Sequence, residues 1–169
     1  MQIDTLSFMG RARDRHMTGP IAGNGGLHLI FPASDLAVRR ALSTSVTVFH
    51  ELGVDQDACG LAELVLAEVL NNVVKHACTA RGHGIIELEA WRAGNALSMR
   101  IRDDGKPMPG GRIPAATRHD LTVETHDLPE GGFGWGIIRE LTRDLNYRRD
   151  GTRNELTFAI DFTEFDASV

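Results

Sequence analysis

One helical segment constrains the fold of this chain more than any other feature of the sequence. From Asp57 to about Ala80, apolar residues recur around most of the helix circumference, which predicts a largely buried helix. At about 100° per residue, one arc of the C-terminal half is nevertheless polar. The members of this arc are Glu68, Asn71, Asn72, Lys75, His76 and Thr79. Burying such groups without partners costs about 1–3 kcal/mol each, so the arc either meets solvent or lines a binding site.

Two residues of this arc have the chemistry of a catalytic site. Glu68 and Asn72 are four residues apart and project side by side from the helix. A carboxylate next to a carboxamide oxygen suits proton transfer and Mg²⁺, which prefers oxygen ligands. His76, one turn further on, is interpreted as a structural histidine with its hydrogen bonds satisfied.

The remaining periodicities predict an α+β protein. The predicted elements, in order, are a strand (27–31), helices (35–52 and 57–80), a strand hairpin (85–91 and 97–103), a helix (134–143) and a second hairpin (145–149 and 154–162). Strands come mostly in adjacent pairs and do not alternate regularly with helices. We therefore expect a two-layer sandwich, with helices on one face of a mostly antiparallel sheet.

The 169 residues fit one domain, which we place at 27–163 between a flexible N-terminal tail (1–26) and a short C-terminal tail (164–169). Within it, residues 105–132 show little periodicity and much Gly, Pro, His and Thr. A loop of this length in a compact domain is usually functional, and an active-site lid is one such type.

Charge and composition narrow the class of function. The net charge of −5 argues against a nucleic-acid binder that works by broad phosphate neutralisation. Two cysteines are too few for a disulfide framework and favour a reduced, cytoplasmic setting. We expect neither a signal peptide nor a membrane span, since no apolar run approaches the roughly 20 residues that a span needs.

The second strand of the first hairpin ends on a candidate ligand-binding residue. Leu97, Met99 and Ile101 alternate on one face, and the same period places Asp103 on that apolar face and Asp104 on the other. With Gly105 to allow a turn, Asp103 is placed to accept a hydrogen bond from a buried ligand. The alternative is a strand-end aspartate bonded to nearby backbone amides.

A glycine cluster opens the third helix. Gly132, Gly134 and Gly136 alternate with other residues immediately before an apolar helical pattern. Backbone N–H groups at such a helix start can approach an anion. The spacing is neither the Rossmann GxGxxG nor a P-loop, so the cluster indicates an anion site of another type or a flexible hinge.

These three features occur in one order: Glu-x-x-x-Asn on a helix, Asp-x-Gly after a strand, and Gly-x-Gly opening a helix after a long lid. This order resembles the nucleotide-binding fold of the gyrase, heat-shock-protein-90, histidine-kinase and mismatch-repair ATPase superfamily. Within it, the chain from about 27 to 160 is most similar to the serine-kinase anti-sigma factors of bacterial stress and sporulation switches. Pro107 and Trp135 depart from the wider pattern, which has glycine and a small aliphatic residue at these positions.

The resemblance implies a Bergerat-type fold with ATP and Mg²⁺ as cofactors. It implies that Glu68 is the base that polarises the attacking hydroxyl and that Asn72 holds Mg²⁺. It also implies that Asp103 accepts from the adenine amino group, with help from Thr157, and that the glycine cluster contacts the phosphates. The residues to which it assigns nucleotide contacts are Asn72, Asp103, Gly105, Gly132, Gly134, Gly136 and Thr157.

The resemblance further implies an ATP-dependent protein-serine kinase that binds a sigma factor and phosphorylates a STAS-domain anti-anti-sigma protein. Such proteins form homodimers and do not contact nucleic acid directly. Arg39 and Arg40 on the first helix are candidate contact residues, unless they are simply solvated. Two alternatives stay open: a non-catalytic nucleotide-binding module that sequesters its partner, and a detached catalytic domain of a histidine kinase. A metal hydrolase is disfavoured, because His76, Cys78 and His83 do not follow a zinc-ligand spacing.

Overall fold

The computed structural model describes residues 25–78, 84–115 and 133–162. A five-stranded antiparallel sheet forms one layer and three helices form the other, so the predicted α+β sandwich is confirmed. The elements in chain order are β1 (Gly26–Pro32), α1 (Asp35–Glu51), α2 (Gln56–Asn72), a π-helical turn (Val73–Cys78), β2 (Ile85–Ala93), β3 (Ala96–Asp103), a 3₁₀ turn (Pro109–Gly111), α3 (Phe133–Leu141), β4 (Arg143–Asp150) and β5 (Arg153–Asp161).

The order of the strands in the sheet is β1-β2-β3-β5-β4. Each hairpin pairs internally, but β5 lies between β3 and β4, so the second hairpin joins the first through its last strand. As a result the end of β3 lies beside the start of β5, with Asp103 directly opposite Asn154. This register determines which side chains meet at one end of the sandwich.

The two faces of the sheet have different chemistry. Alternate residues of β1, β2, β3 and β5 point into the core and pack against the buried faces of α1 and α2. The largest fully buried side chains are Phe31, Phe49, Leu66, Leu70, Ile86, Leu88, Leu97, Met99, Ile101 and Ile138. The outer face is charged, with cross-strand ion pairs that include Arg100 with Glu89 and Arg102 with Glu155. One polar and one packed face is usual for an antiparallel sheet.

The first two helices begin at side-chain N-caps, and a glycine follows the end of the first. The Ser34 hydroxyl accepts from the backbone N–H of Ala37, and the Asp55 carboxylate accepts from that of Ala58 at 2.9 Å. These two N-caps satisfy backbone donors that lack partners within the helix. Gly53 follows α1 with φ of +76°, a conformation that glycine adopts without strain.

The predicted second helix differs from the observed one at its C-terminal end. The α-helix ends at Asn72 and a π-helical turn covers Val73–Cys78, whereas an uninterrupted α-helix to Ala80 was expected. The apolar period does not reveal this change, because the turn is held by packing from outside the helix. The backbone N–H of Lys106 donates to the Ala77 carbonyl at 2.9 Å. π-helical turns are frequent at functional sites.

Part of the predicted lid is ordered, and the predicted tails are mostly outside the described residues. Residues 105–115 form a fixed segment that includes the 3₁₀ turn, while the rest of the lid, 116–132, lies outside. Gly26 begins β1 and is not part of a tail. None of the helices within the described ranges is long and apolar enough to cross a membrane.

The charged outer face makes stability depend on pH through Glu155. Hydrogen bonds from Arg148 and Arg102 lower the pKa of this carboxyl from 4.5 to about 2. Because the folded-state pKa lies below the unfolded one, the stabilisation is complete above about pH 5 and is lost as the pH falls toward 2. We expect Glu155→Gln to lower the free energy of unfolding by about 1–2 kcal/mol at pH 7.

Urea unfolding at pH 7, 4 and 2.5 measures this effect, and the difference between wild type and Glu155→Gln shrinks with falling pH. Glu51→Gln is the control, because this glutamate lies exposed at the end of α1, away from the charged outer face of the sheet. A loss of stability that is equal at all three pH values would assign the effect to packing and not to charge.

Candidate functional site

A cavity of about 480 Å³ lies at the end of the sandwich where α2 passes into the π-helical turn. Its wall is mainly apolar, with a few polar groups, as is usual for a small-molecule site. The lining residues are Val69, Asn72, Val73, His76, Ala77, Ile101, Asp103, Lys106, Pro107, Met108, Pro109, Pro114, Trp135, Tyr147, Asn154 and Leu156. Five separate stretches of the chain, at 69–77, 101–114, 135, 147 and 154–156, therefore meet around one cavity.

Asp103 lies in the wall of the cavity, on the inward face of β3, as the alternation predicts. It is only 5% exposed, and its Oδ1 accepts from Asn154 Nδ2 and from the Gly105 N–H, both at 2.8 Å. Burial raises the pKa of Asp103, and the two hydrogen bonds oppose that rise. The aspartate thus binds local backbone, as the alternative interpretation requires, and also faces the cavity. Asp104 points outward and accepts from the Ile85 N–H.

Asn154 is a site residue that the sequence interpretation missed. It is 4% exposed, lines the cavity and donates to Asp103. The signal was present: Asn154, Leu156 and Phe158 share one face by period two, so an asparagine stands at the inward start of β5. The rule that located Asp103 on β3 would have found it.

The predicted role of Thr157 at the adenine is wrong on geometric grounds. Thr157 pairs with Arg100 of β3, whereas Asn154 pairs with Asp103, three positions away in register. An odd separation along a strand reverses the direction of the side chain. Thr157 therefore projects from the outer face, away from the cavity.

Glu68 and Asn72 come together at the start of α3. A methyl group built on Gly134 would lie 2.5 Å from Glu68 Oε2 and 3.7 Å from Asn72 Nδ2, so both side chains lie against this glycine. A side chain at position 134 would push the Glu68 carboxylate aside, so the glycine lets this carboxylate lie against the start of α3. The predicted pairing of Glu68 and Asn72 with the glycine cluster is thus present in space. Gly132 lies outside the described residues, and nothing lies within 4 Å of a methyl group built on Gly136.

The fit of a cation or a phosphate group depends on Asn72. Its Nδ2 is buried and has no hydrogen-bond partner among the described residues. A half-turn of the amide exchanges Nδ2 and Oδ1, so Asn72 offers a donor to a phosphate oxygen or an acceptor to Mg²⁺. Among the described residues no three His, Cys, Asp or Glu side chains are grouped to hold a metal. Mg²⁺ at this site would therefore depend on Asn72, phosphate oxygens and water, which suits its coordination habits.

Two further residues that the sequence analysis discussed line the cavity. His76 is exposed on the cavity wall, and its interpretation as a structural histidine stays a prediction. Trp135, the unusual residue in the glycine cluster, is 9% exposed and packs into the core in the first turn of α3 while lining the cavity. Its bulk closes one side of the site.

The segment that follows β3 is held in place by side chains from three elements. Arg149 of β4 and Asn154 of β5 donate to the carbonyls of Gly105 and Lys106, at 3.0 and 2.9 Å. Further along, Arg139 of α3 donates to the carbonyls of Ile113 and Pro114. Residues 105–115 thus form a fixed wall of the cavity and not a free lid.

Gly105 is required by close packing. A methyl group at this position would lie 2.5 Å from the Ala77 side chain and 2.6 Å from its backbone carbonyl. We expect Gly105→Ala to lower the free energy of unfolding by about 1–3 kcal/mol, because the backbone of the π-helical turn must shift. Gly60→Ala on the exposed side of α2 meets nothing within 4 Å and is expected to raise it by about 0.5–1 kcal/mol. Urea denaturation of both variants tests this, and equal effects of the same sign would contradict it.

Comparison with known proteins identifies the class. Residues 31–160 match the histidine kinase-like ATPase domain family, and the chain belongs to this family. It is a class of ATPase domains, which implies that the protein binds ATP.

One curated relative is a much longer protein. It is 30% identical over 105 residues to blue-light-activated histidine kinase 2 of Erythrobacter litoralis, which covers 59% of this chain. The chain spans 26% of that relative, about a quarter of its length.

Two solved structures are also similar. The crystal structure of the RsbU and RsbW domains of Rv1364c from Mycobacterium tuberculosis superposes with a TM-score of 0.57 at 16% identity, over 81% of this chain and 32% of that one. This likeness shows the fold alone. The histidine kinase domain of the Erythrobacter litoralis EL346 blue-light activated histidine kinase gives a TM-score of 0.46 at 23% identity, over 77% of this chain and 64% of that one.

Proposed function

We propose that this protein is an ATP-dependent protein-serine kinase that acts as an anti-sigma factor. In this proposal it binds a sigma factor and phosphorylates a serine of a STAS-domain anti-anti-sigma protein, so that partner exchange controls transcription. The observation that carries the proposal is the position of the Glu68 carboxylate beside Asn72, at the N-terminus of α3. A base, a cation ligand and a helix N-terminus at one point suit phosphoryl transfer, where positioning and charge stabilisation dominate.

In this proposal the nucleotide has a defined orientation in the cavity. The purine would lie with its amino group on Asp103, while the phosphates would extend toward Asn72 and the start of α3. That end favours negative charge, because backbone N–H groups and the helix dipole point toward it. Glu68 lies one helical turn from Asn72, so its carboxylate would face the nucleophile that attacks the terminal phosphate. Mg²⁺ on Asn72 would neutralise phosphate charge during the transfer.

A base at this position favours a hydroxyl as the acceptor. A serine hydroxyl must lose its proton when it attacks phosphorus, so a carboxylate within reach contributes directly. A neutral imidazole attacks through a lone pair and has no proton to lose at the attacking nitrogen. The similarity to a histidine kinase nevertheless makes transfer to histidine the second candidate function.

The proposed partners include a second copy of the chain. The outer side of α1 exposes Arg39 and Arg40, and a groove between α1 and α2 runs past Arg39, Leu42 and Glu63. In the proposal this side of the helical layer contacts the second protomer of a homodimer. Location in the cytoplasm follows from the same proposal, since sigma factors act there.

The test of the kinase activity uses two glutamates of the helical layer. Purified protein is incubated with labelled Mg-ATP and STAS-domain proteins from the same genome, and phosphoserine is measured. We expect Glu68→Gln to slow the transfer by about 10²–10⁴-fold with ATP affinity nearly unchanged, because only proton transfer is removed. Glu140→Gln, at an exposed position near the end of α3, should match the wild-type rate.

Three other results of this experiment would contradict the proposal or favour one of the alternative functions. Transfer by the wild type no faster than by Glu68→Gln removes the catalytic role of Glu68. Protein-bound phosphate that is acid-labile and alkali-stable indicates histidine phosphorylation. Tight ATP binding and capture of the partner without any transfer indicates the non-catalytic sequestering module.

A further inference from the structure

Two donors from β4 converge on the side-chain amide of Asn154. The Tyr147 hydroxyl donates to Asn154 Oδ1 at 2.8 Å, and Arg149 Nη1 donates to the same oxygen at 2.6 Å. The other end of the amide, Nδ2, donates to Asp103 Oδ1 at 2.8 Å and to the Lys106 carbonyl at 2.9 Å. This buried amide therefore has partners on both sides.

The direction of every hydrogen bond in this group is fixed. The Met108 N–H donates to the Tyr147 hydroxyl oxygen at 3.1 Å, so the hydroxyl proton is directed to Asn154. Arginine is always a donor. With both donors on Oδ1, the amide cannot flip, and Nδ2 must face the carboxylate of Asp103. Residues of β4 thus control a side chain on β5, which in turn orients one on β3.

The fixed amide determines what Asp103 can recognise. Asp103 Oδ1 receives two donors, Asn154 Nδ2 and the Gly105 N–H, which hold the plane of the carboxylate. A carboxylate held in this way accepts hydrogen bonds and donates none. A 6-amino purine presents a donor to it, whereas a 6-oxo purine presents an acceptor and would be repelled.

The ionised form of Asp103 also depends on these neighbours. Burial raises the pKa of Asp103 and Asp104 adds to that rise, while the Asn154 hydrogen bond and the Arg149 charge lower it. A protonated Asp103 would donate a hydrogen bond and accept a 6-oxo purine. The groups that orient the carboxylate are therefore also the groups that keep it an acceptor.

We propose that Tyr147 and Arg149 are positioning residues that set the preference of this site for 6-amino over 6-oxo purines, through Asn154 and Asp103. The inference rests on the proposed placement of the purine against Asp103. It adds to that function two residues of β4, which act through Asn154 and need not contact the purine amino group themselves.

The experiment compares three ligands by calorimetry: ATP, inosine triphosphate and purine riboside triphosphate, which has neither substituent at position 6. The variants are Tyr147→Phe and Arg149→Met. Each should reduce the preference for ATP over inosine triphosphate by about five- to tenfold, the effect of one hydrogen bond. The affinity for purine riboside triphosphate should stay within about twofold of wild type, a readout that general loss of structure would not preserve.

Arg148→Met is the matched control. Arg148 is the neighbour of Arg149 on β4 but points to the outer face, where it pairs with Glu155. Its substitution should leave the ratio of the ATP and inosine triphosphate affinities unchanged. If Tyr147→Phe does not fold, Arg149→Met decides alone, since Arg149 is exposed and tolerates replacement.

The outcomes separate this inference from the proposed function through Asp103→Asn. If Asp103→Asn leaves the ATP preference intact, the purine is not on Asp103, and both the placement and the inference fail. If Asp103→Asn removes the preference but the two β4 variants keep it, the inference alone fails. Equal weakening of all three ligands by the β4 variants also overturns it, since that indicates a structural role.

Discussion

The hydrogen bond between Asn154 and the buried Asp103 holds together the end of the molecule on which the site depends. Each of these side chains would be costly in an apolar core without the other, because a buried polar group without a partner costs about 1–3 kcal/mol. Their pairing requires β5 to lie beside β3, with Asp103 opposite Asn154. The cavity wall thus depends on this one register. A slip of β5 by one residue would turn Asn154 to the outer face and leave Asp103 without this partner.

A second constraint acts at the junction of the two layers, where two glycines make close contacts. Gly105 is required for the segment after β3 to lie on the Ala77 backbone, and Gly134 lies against the carboxylate end of the Glu68 side chain. Both contacts involve the polar side of α2 or its π-helical extension. The buried helix that dominates the sequence therefore uses its apolar side for the core and its polar side for the cavity.

Local pattern was enough to predict some parts of the site and not others. Period two on β3 placed Asp103 correctly, and the Glu68–Asn72 spacing placed both residues on one helix face. The same alternation places Asn154 on the inner face of β5 and Thr157 on the outer face. The role given to Thr157 was wrong because it followed the family motif and not this alternation. The direction of a side chain on a single strand or helix can therefore be predicted from the local sequence.

What β4 and the π-helical turn contribute to the site depends instead on how the elements are arranged in space. Tyr147 and Arg149 reach Asn154 only because β4 is the outer neighbour of β5, and a hairpin pattern does not specify on which side it joins a sheet. Likewise, the π-helical turn follows from packing against Gly105 and Lys106, which are more than 25 residues away in sequence. The periodicity of the sequence cannot predict such contacts, because they depend on strand order and on how the loops close.

The distribution of charge indicates from which side an acceptor protein would reach the base in the proposed function. On the outer face, the carboxylates of Glu87, Glu89 and Glu155 are paired with arginines of neighbouring strands. A partner docking there would have to compete with these ion pairs and would still be separated from Glu68 by the sheet. The half-buried Glu68 lies instead in the helical layer, where α2 meets α3. In the proposed function, an attacking serine must therefore approach from the helical side, near the contact between Glu68 and Gly134.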